Sequence, residues 1–290
     1  MPDAIEAGGL GTVAILGLGL IGGSLGLALR ASGAAREVVG WNRRPGVAAR
    51  AVADGAIDRA EACAGEAVAS ADLVVIGTPV DVVVPLAKEI VGQLRQPTIV
   101  TDVGSTKRRI VEEAEEVLGG RFVGSHPMAG SEESGLAAAS ERLFRGATWV
   151  LTPTARTAPA AADAVRTMVR AVGAVPAECA AADHDRWIAA LSHLPHIAAY
   201  GLARVARSAV GDGAQRLTGG SFRDGTRVAE SDPSLWAGIL TDNLEPVLAA
   251  IDAYTEWLGG LRARLAQGDG AGLQEELMEA RISRRWFRHE

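Results

Sequence analysis

The stretch Thr12-Val13-Ala14-Ile15-Leu16-Gly17-Leu18-Gly19-Leu20-Ile21-Gly22 constrains this chain more than any other. Its first five residues are a β-branched and aliphatic run with no polar face, which suits a central parallel strand buried on both sides. Three glycines at Gly-x-Gly-x-x-Gly spacing follow at once, and the helical pattern Leu25, Leu27, Ala28, Leu29 comes next. Between a strand and a helix that spacing has a mechanical meaning. Gly17 permits a tight turn, Gly19 lets the backbone approach a pyrophosphate, and Gly22 lets helix and strand pack closely. The helix N-terminus, reached through Leu20 and Ile21, then favours an anion. The plain alternative is a glycine-rich turn that only packs.

The next strand, Glu37-Val38-Val39-Gly40-Trp41, runs into Asn42-Arg43-Arg44. A carboxylate at the end of this strand takes the ribose hydroxyls of NAD. Asn42 with Arg43 and Arg44 instead suits a 2′-phosphate, so NADP is the preferred cofactor and NAD the alternative. A solvated loop with two surface arginines is the bland reading. Further strands at 71–80 and 97–102 end in Thr78-Pro79 and in Val103-Gly104-Ser105. Both turns fall at the carboxyl edge of a parallel sheet, where such folds bind ligands. Ser105 also reads as the N-cap of a helix over 106–118. A strand at 121–124 then delivers Ser125-His126-Pro127, inside the tight, glycine- and proline-bounded turn Gly124 to Glu132. A histidine leaving that edge can take a proton near neutral pH; otherwise it is a structural residue of a polar loop. A strand at 148–153, a helix at 158–172 and a last strand at 174–178 complete the sheet.

From Ala181 the strand pattern stops. The fold class is therefore α/β, a Rossmann-type dinucleotide-binding domain over 1–179 followed by an all-α domain over 180–290. In the second part Trp187, Leu191 and Leu194 fall at helical spacing with Ile188 beside them. His193 and His196 are three apart and can share a face, and Pro195 between them implies a kink or break. No third ligand stands at helical spacing, so no metal is expected; the two histidines read as pocket-lining groups or as core histidines satisfied locally. Residues 219–227 form a polar, glycine-rich loop carrying Arg223 and Arg227, and arginine suits bidentate carboxylate binding. Ser231-Asp232-Pro233 starts a helix, and the apolar face begun by Leu235, Trp236, Ile239 and Leu240 extends through Leu244 and Leu248 to Leu258. That stripe is wide for one small helical domain and implies a subunit interface. A final helix over 273–284 leads into a basic aromatic tail, Arg284 to His289.

Net charge is −6, which leaves no global basic field for nucleic acid or an anionic membrane. No apolar run approaches a membrane span, and Met1-Pro2-Asp3-Ala4-Ile5-Glu6 lacks the features of a signal peptide. Cys63 and Cys179 make no disulfide framework, so a reducing cytoplasm is expected.

Taken together these stretches resemble the prephenate/arogenate dehydrogenase family of tyrosine biosynthesis. The resemblance rests on residues 17–24, 101–107, 124–132, 192–196, 222–227 and 231–236 in that order. It implies oxidative decarboxylation of prephenate, arogenate or both, with hydride leaving C4 of the ring for the nicotinamide as CO2 leaves C1. It implies that His126 accepts the proton of the C4 hydroxyl, and that Ser105 holds the same hydroxyl and orients His126. His196 then lines the pocket near the substrate side chain, with His193 and Ser131 beside it, and Arg227 anchors a carboxylate. Glu132 and Asp224 belong to a polar gate, with Trp236 nearby, and Gly220 is among the substrate-binding residues. The helical domain is implied to form a homodimer. The small regulatory domain that some members carry after the helices is not expected here. Two rivals share the plan. An amino-substituted prephenate dehydrogenase would share nearly every motif, and a non-catalytic NADP-sensing module would bind cofactor without turnover. Hydroxyacid dehydrogenases that rely on a lysine in the helical domain do not fit, because residues 180–290 contain no lysine.

Overall fold

A computed structural model describes residues 9–210 and 213–287. The N-terminal residues 1–6 read for a signal peptide and the tail residues Arg288 and His289 lie outside the described residues. The first strands and helices alternate: β1 (Thr12–Leu16), α1 (Leu20–Ser32), β2 (Glu37–Trp41), α2 (Pro45–Ala53), β3 (Arg59–Ala60), α3 (Ala64–Val68), β4 (Leu73–Ile76), α4 (Val80–Ile90), β5 (Ile99–Asp102) and α5 (Arg108–Leu118). Then come β6 (Phe122–Pro127), β7 (Thr148–Thr152), α6 (Pro159–Ala171) and β8 (Val175–Glu178). Helices complete the chain: α7 (Ala181–Ile188), α8 (Leu194–Val210), α9 (Gly220–Thr226), α10 (Pro233–Asp242), α11 (Leu244–Gln267) and α12 (Gly270–Trp286).

The strands form one sheet in the order β3-β2-β1-β4-β5-β6-β7-β8. All neighbours pair in parallel except β6 and β7. The order reverses at β1/β4, the place where an open parallel sheet opens a crevice for ligand. Every residue of β1 is buried, and the two-residue period sends them to opposite faces. Val13 and Ile15 join the core with Leu25 and Leu29 of α1 and Val165 of α6. Ala14 and Leu16 join the other core with α3, α4 and α5. That double burial is why the strand reads as an uninterrupted apolar run.

Three local expectations change. His126 sits within β6, paired across to Val150 of β7, not in a turn. The antiparallel return of β7 extends the strand through Pro127, three residues beyond Gly124. The polar stretch 219–227 forms α9 and then a 3₁₀ turn at Arg227–Glu230, because its glycines do not offset the i,i+4 bonding that starts from Gly219. The long helix expected from Pro233 breaks at Asn243, whose buried side chain leaves the helical pattern to donate to the Asp185 carbonyl.

Packing divides the chain into Met1–Asn243 and Leu244–Glu290. Helices α7 to α10 therefore belong with the sheet by contact, although the strand pattern ends at Glu178. Ile239 of α10 is buried in the core that contains α4 and α5. The second unit is a helix pair, α11 and α12, turned at Gly268 with φ +69° and capped by Asp269, which accepts from the Gly272 amide. Trp257 donates to Glu276 across the pair. Leu244, Leu248, Leu258, Leu277 and Ile282 stay exposed on it. No helix among the described residues is long and apolar enough to cross a membrane.

Candidate active site

The glycine loop carries the features a dinucleotide needs. Gly17 has φ +102°, and a Cβ there would lie 2.5 Å from the Gly77 carbonyl oxygen. A Cβ on Gly22 would lie 2.0 Å from the Gly17 carbonyl oxygen, so helix α1 can approach β1 only with glycine. A Cβ on Gly19 would meet nothing within 4 Å, which leaves open space above the start of α1. Thr78 adjoins this loop, and its buried Oγ1 has no hydrogen-bond partner. These residues fit a pyrophosphate-bearing cofactor at the N-terminus of α1. Pro79 ends the same edge as the N-cap of α4, and Val103 is nearly buried where its amide bonds to Ile76. At the end of β2, Asn42 accepts from the Arg44 amide at 3.0 Å, while the Arg43 and Arg44 side chains are exposed.

A cavity of about 440 Å³ opens beside this edge. Leu20 and Ile21 of the cofactor helix line it, as do Ser105, His126, Ser131 and Glu132. His193, His196, Arg227 and Trp236 line it from the helical side. Gly220 and Asp224 do not line it; both are exposed on α9. Trp236 stacks on His196 with ring centroids 3.6 Å apart and meets His193 edge-on at 5.9 Å. Arg227 makes an ion pair with Glu132 at the rim.

Helix geometry explains how two histidines reach one wall. Pro195 lacks an amide donor, and the chain accommodates this with a π-helical turn over Ala189–His193 rather than a break. That turn swings His193 into full burial and leaves Trp187 and Leu191 exposed, with Ile188 buried in their place. His196 Nδ1 bonds to the Ser192 carbonyl at 2.9 Å.

Behind His126 lies a buried polar network that the sequence reading left out. His126 Nδ1 lies 2.9 Å from His184 Nε2, and His184 Nδ1 lies 2.7 Å from Asp185 Oδ1. The ring partner of His126 is thus His184, while Ser105 lines the same cavity. Asp185 also accepts from the Lys107 amide at 2.7 Å and the Arg108 amide at 2.8 Å. It is therefore Asp185, not Ser105, that caps α5, which begins at Arg108 without a side-chain cap of its own. Asn243 Nδ2 donates to the Asp185 carbonyl at 2.8 Å and meets His193 Nδ1 at 3.2 Å. Below the site, Lys107 and Asp102 form a fully buried ion pair. The Asp102 carboxylate accepts from the Gly104 amide at 2.8 Å and the Ser125 amide at 3.2 Å, so one side chain ties the Ser105 turn to the His126 strand.

Burial holds His126 well below the ordinary histidine value, with His184, Lys107 and His193 adding to it. Burial takes His193 from 6.5 to about 4. Burial also lowers His196, with Arg227 adding to it. All three rings are neutral at pH 7. A depressed histidine contributes stability in full above its unfolded value and loses it as pH falls toward the folded one. From pH 6.5 to 4, His193 alone is expected to remove about 3 kcal/mol. Urea unfolding at the two ends of that window checks this against His193→Gln. The same pH dependence in both proteins would refute it.

The model of the prephenate dehydrogenase nucleotide-binding domain matches residues 25–178, and that of the prephenate dehydrogenase dimerization domain matches residues 180–279. The chain belongs to the prephenate dehydrogenase family. It is 34% identical to the Bacillus subtilis prephenate dehydrogenase over 90% of this chain and 72% of that one. It superposes on the Aquifex aeolicus prephenate dehydrogenase, solved with hydroxyphenyl propionate and NAD+, with a TM-score of 0.88 and 32% identity, covering 96% of this chain and 98% of that one. The Synechocystis arogenate dehydrogenase gives a TM-score of 0.81 at 30% identity, covering 96% of this chain and 100% of that one. The family establishes an oxidoreductase with a nicotinamide cofactor.

Proposed function

We propose that this chain oxidatively decarboxylates prephenate, arogenate or both, with NADP preferred over NAD. The observation that carries the reading is one cavity lined both by the cofactor helix, through Leu20 and Ile21, and by His126, His196 and Arg227. A nicotinamide bound at that helix would supply the hydride acceptor. His126, neutral at pH 7, accepts the proton of the ring hydroxyl as the ring becomes aromatic. Because aromatisation favours the reaction, a weak base suffices. Ser105 holds the same hydroxyl. Arg227 anchors a substrate carboxylate once that carboxylate displaces Glu132 from it, so the rim ion pair acts as the gate. His196, stacked on Trp236, bounds the substrate side chain. We read residues 180–290 as the substrate and dimerisation domain, supported by the matched family model and the exposed leucines of α11 and α12. In this reading the enzyme works as a cytoplasmic homodimer.

Product analysis with both substrates and both cofactors tests the reading; reduction of neither cofactor with either substrate would end it. For the cofactor, kcat/KM is expected to favour NADP, and Asn42→Asp to shift the NADP/NAD ratio about tenfold toward NAD, since a carboxylate repels the 2′-phosphate. Preference for NAD in the unsubstituted enzyme would refute the roles given to Asn42, Arg43 and Arg44.

A further inference from the structure

Hydrogen-bond direction in the network behind His126 can be worked out from its buried end. The Asp185 carboxylate accepts the Lys107 and Arg108 amides at the N-terminus of α5, and a carboxylate can only accept. His184 Nδ1, 2.7 Å away, must then carry a proton. With His184 in its neutral form, Nε2 offers a lone pair, and His126 Nδ1, 2.9 Å away, donates to it. That leaves His126 Nε2 as the acceptor on the ring that lines the cavity. The direction is set at the helix N-terminus, whose amides can only donate.

We propose that His184 and Asp185 are positioning residues that hold His126 in its accepting tautomer and take over the charge it acquires. The proposal rests on His126 being the proton acceptor. The O–H bond of the substrate hydroxyl breaks as a bond forms to His126 Nε2. The Nδ1–H bond of His126 breaks as its proton passes to His184 Nε2. The positive charge then lies on His184, against the Asp185 carboxylate, and His126 is neutral again. The carboxylate itself stays ionised, as in other histidine–aspartate pairs.

The surroundings favour this location for the charge. His126 and His184 are flanked by Lys107 at the start of α5 and its partner Asp102 at the end of β5, by Asp185 on α7, and by His193 on the π turn. Asp242 of α10, which accepts from Thr106 and pairs with Arg109, acts on Lys107 from the far side. Of the two rings, only His184 contacts a carboxylate, and it is almost wholly buried, so no solvent competes for that contact. A cation left on His126 would have burial and the Lys107 ammonium against it.

Two experiments test the proposal. In the unsubstituted protein, nitrogen chemical shifts of the imidazoles at pH 7 should report Nδ1–H tautomers for both His126 and His184. An Nε2–H tautomer on His184 would overturn the proposal without any variant having to fold. His184→Gln should then lower kcat at least about tenfold, with KM and cofactor affinity held, and should move the acid limb of the kcat–pH profile to lower pH. A kcat and limb unchanged from the parent enzyme would overturn the relay while leaving the dehydrogenase reading intact. Failure of the parent enzyme to turn over prephenate or arogenate would remove both.

Discussion

Replacing His126 with asparagine is expected to lower kcat on the order of a thousandfold while cofactor affinity stays unchanged. The fold should survive the change. His126 is held in β6 by backbone pairing with Val150, and its side chain lines a cavity rather than filling the core. Asparagine keeps a polar group at the wall but has no basic nitrogen. Its Nδ2 amide lies close to where His126 Nδ1 meets His184 Nε2 at 2.9 Å and can donate there, so the buried ring behind it keeps a partner. The cofactor features lie elsewhere: Gly17, Gly19 and Gly22 on the loop, and the unpartnered Thr78 hydroxyl. Binding and chemistry should therefore separate, with cofactor titration normal and single-turnover reduction slow. Turnover within tenfold of the parent would show that the hydroxyl proton leaves by another route.

The parts of this arrangement that the sequence made legible are those set by local rules. Gly17, Gly19 and Gly22 follow from backbone sterics between a strand and a helix, and β1 follows from double burial. Asp232 capping α10 ahead of Pro233 is likewise a first-turn property. His126, His196 and Arg227 stood out as polar residues in apolar or glycine-rich settings, and the fold brings them to one cavity.

What escaped was set by contacts distant in sequence. Asp185 reads as one acid in the polar run Asp183-His184-Asp185-Arg186. Only folding brings it to the α5 amides, 77 and 78 residues earlier in the chain. His184 looks the same from sequence as an exposed helical histidine, because its burial comes from α5 and β6 and not from its own helix. Asn243 sits within an apolar stripe whose period continues past it, so nothing local announces a break. The signal that could have found the network was an excess of short polar residues, Asp185, His193 and Asn243, on otherwise apolar faces. Ser105 misled for the opposite reason. It has the composition of an N-cap, but the helix starts three residues later and takes its cap from another element.

The second large effect is expected at Lys107, where methionine should cost about 3–5 kcal/mol and lower Tm by roughly 10 °C. The pair it forms with Asp102 is fully buried on both sides. Burial pulls the Lys107 ammonium below its ordinary pKa while Asp102 pulls against it, so each charge depends on the other. Methionine approximates the shape of the lysine stem and removes the charge together with the hydrogen bond to Asp102. Asp102 is then left ionised and buried with two amide donors, or it takes up a proton and weakens its hold on Gly104 and Ser125. Either outcome loosens both the Ser105 turn and the strand that carries His126, so kcat should fall along with stability. Asp102→Asn in the same chain removes the orphaned charge and should recover part of the stability. Activity should not recover with it, because a neutral amide holds the two loop amides less firmly than a carboxylate. Denaturant unfolding of the single and double variants separates these terms. A Lys107→Met loss below about 1 kcal/mol would mean that water or a neighbouring group compensates Asp102. The buried pair would then be a consequence of the site's geometry and not one of its supports.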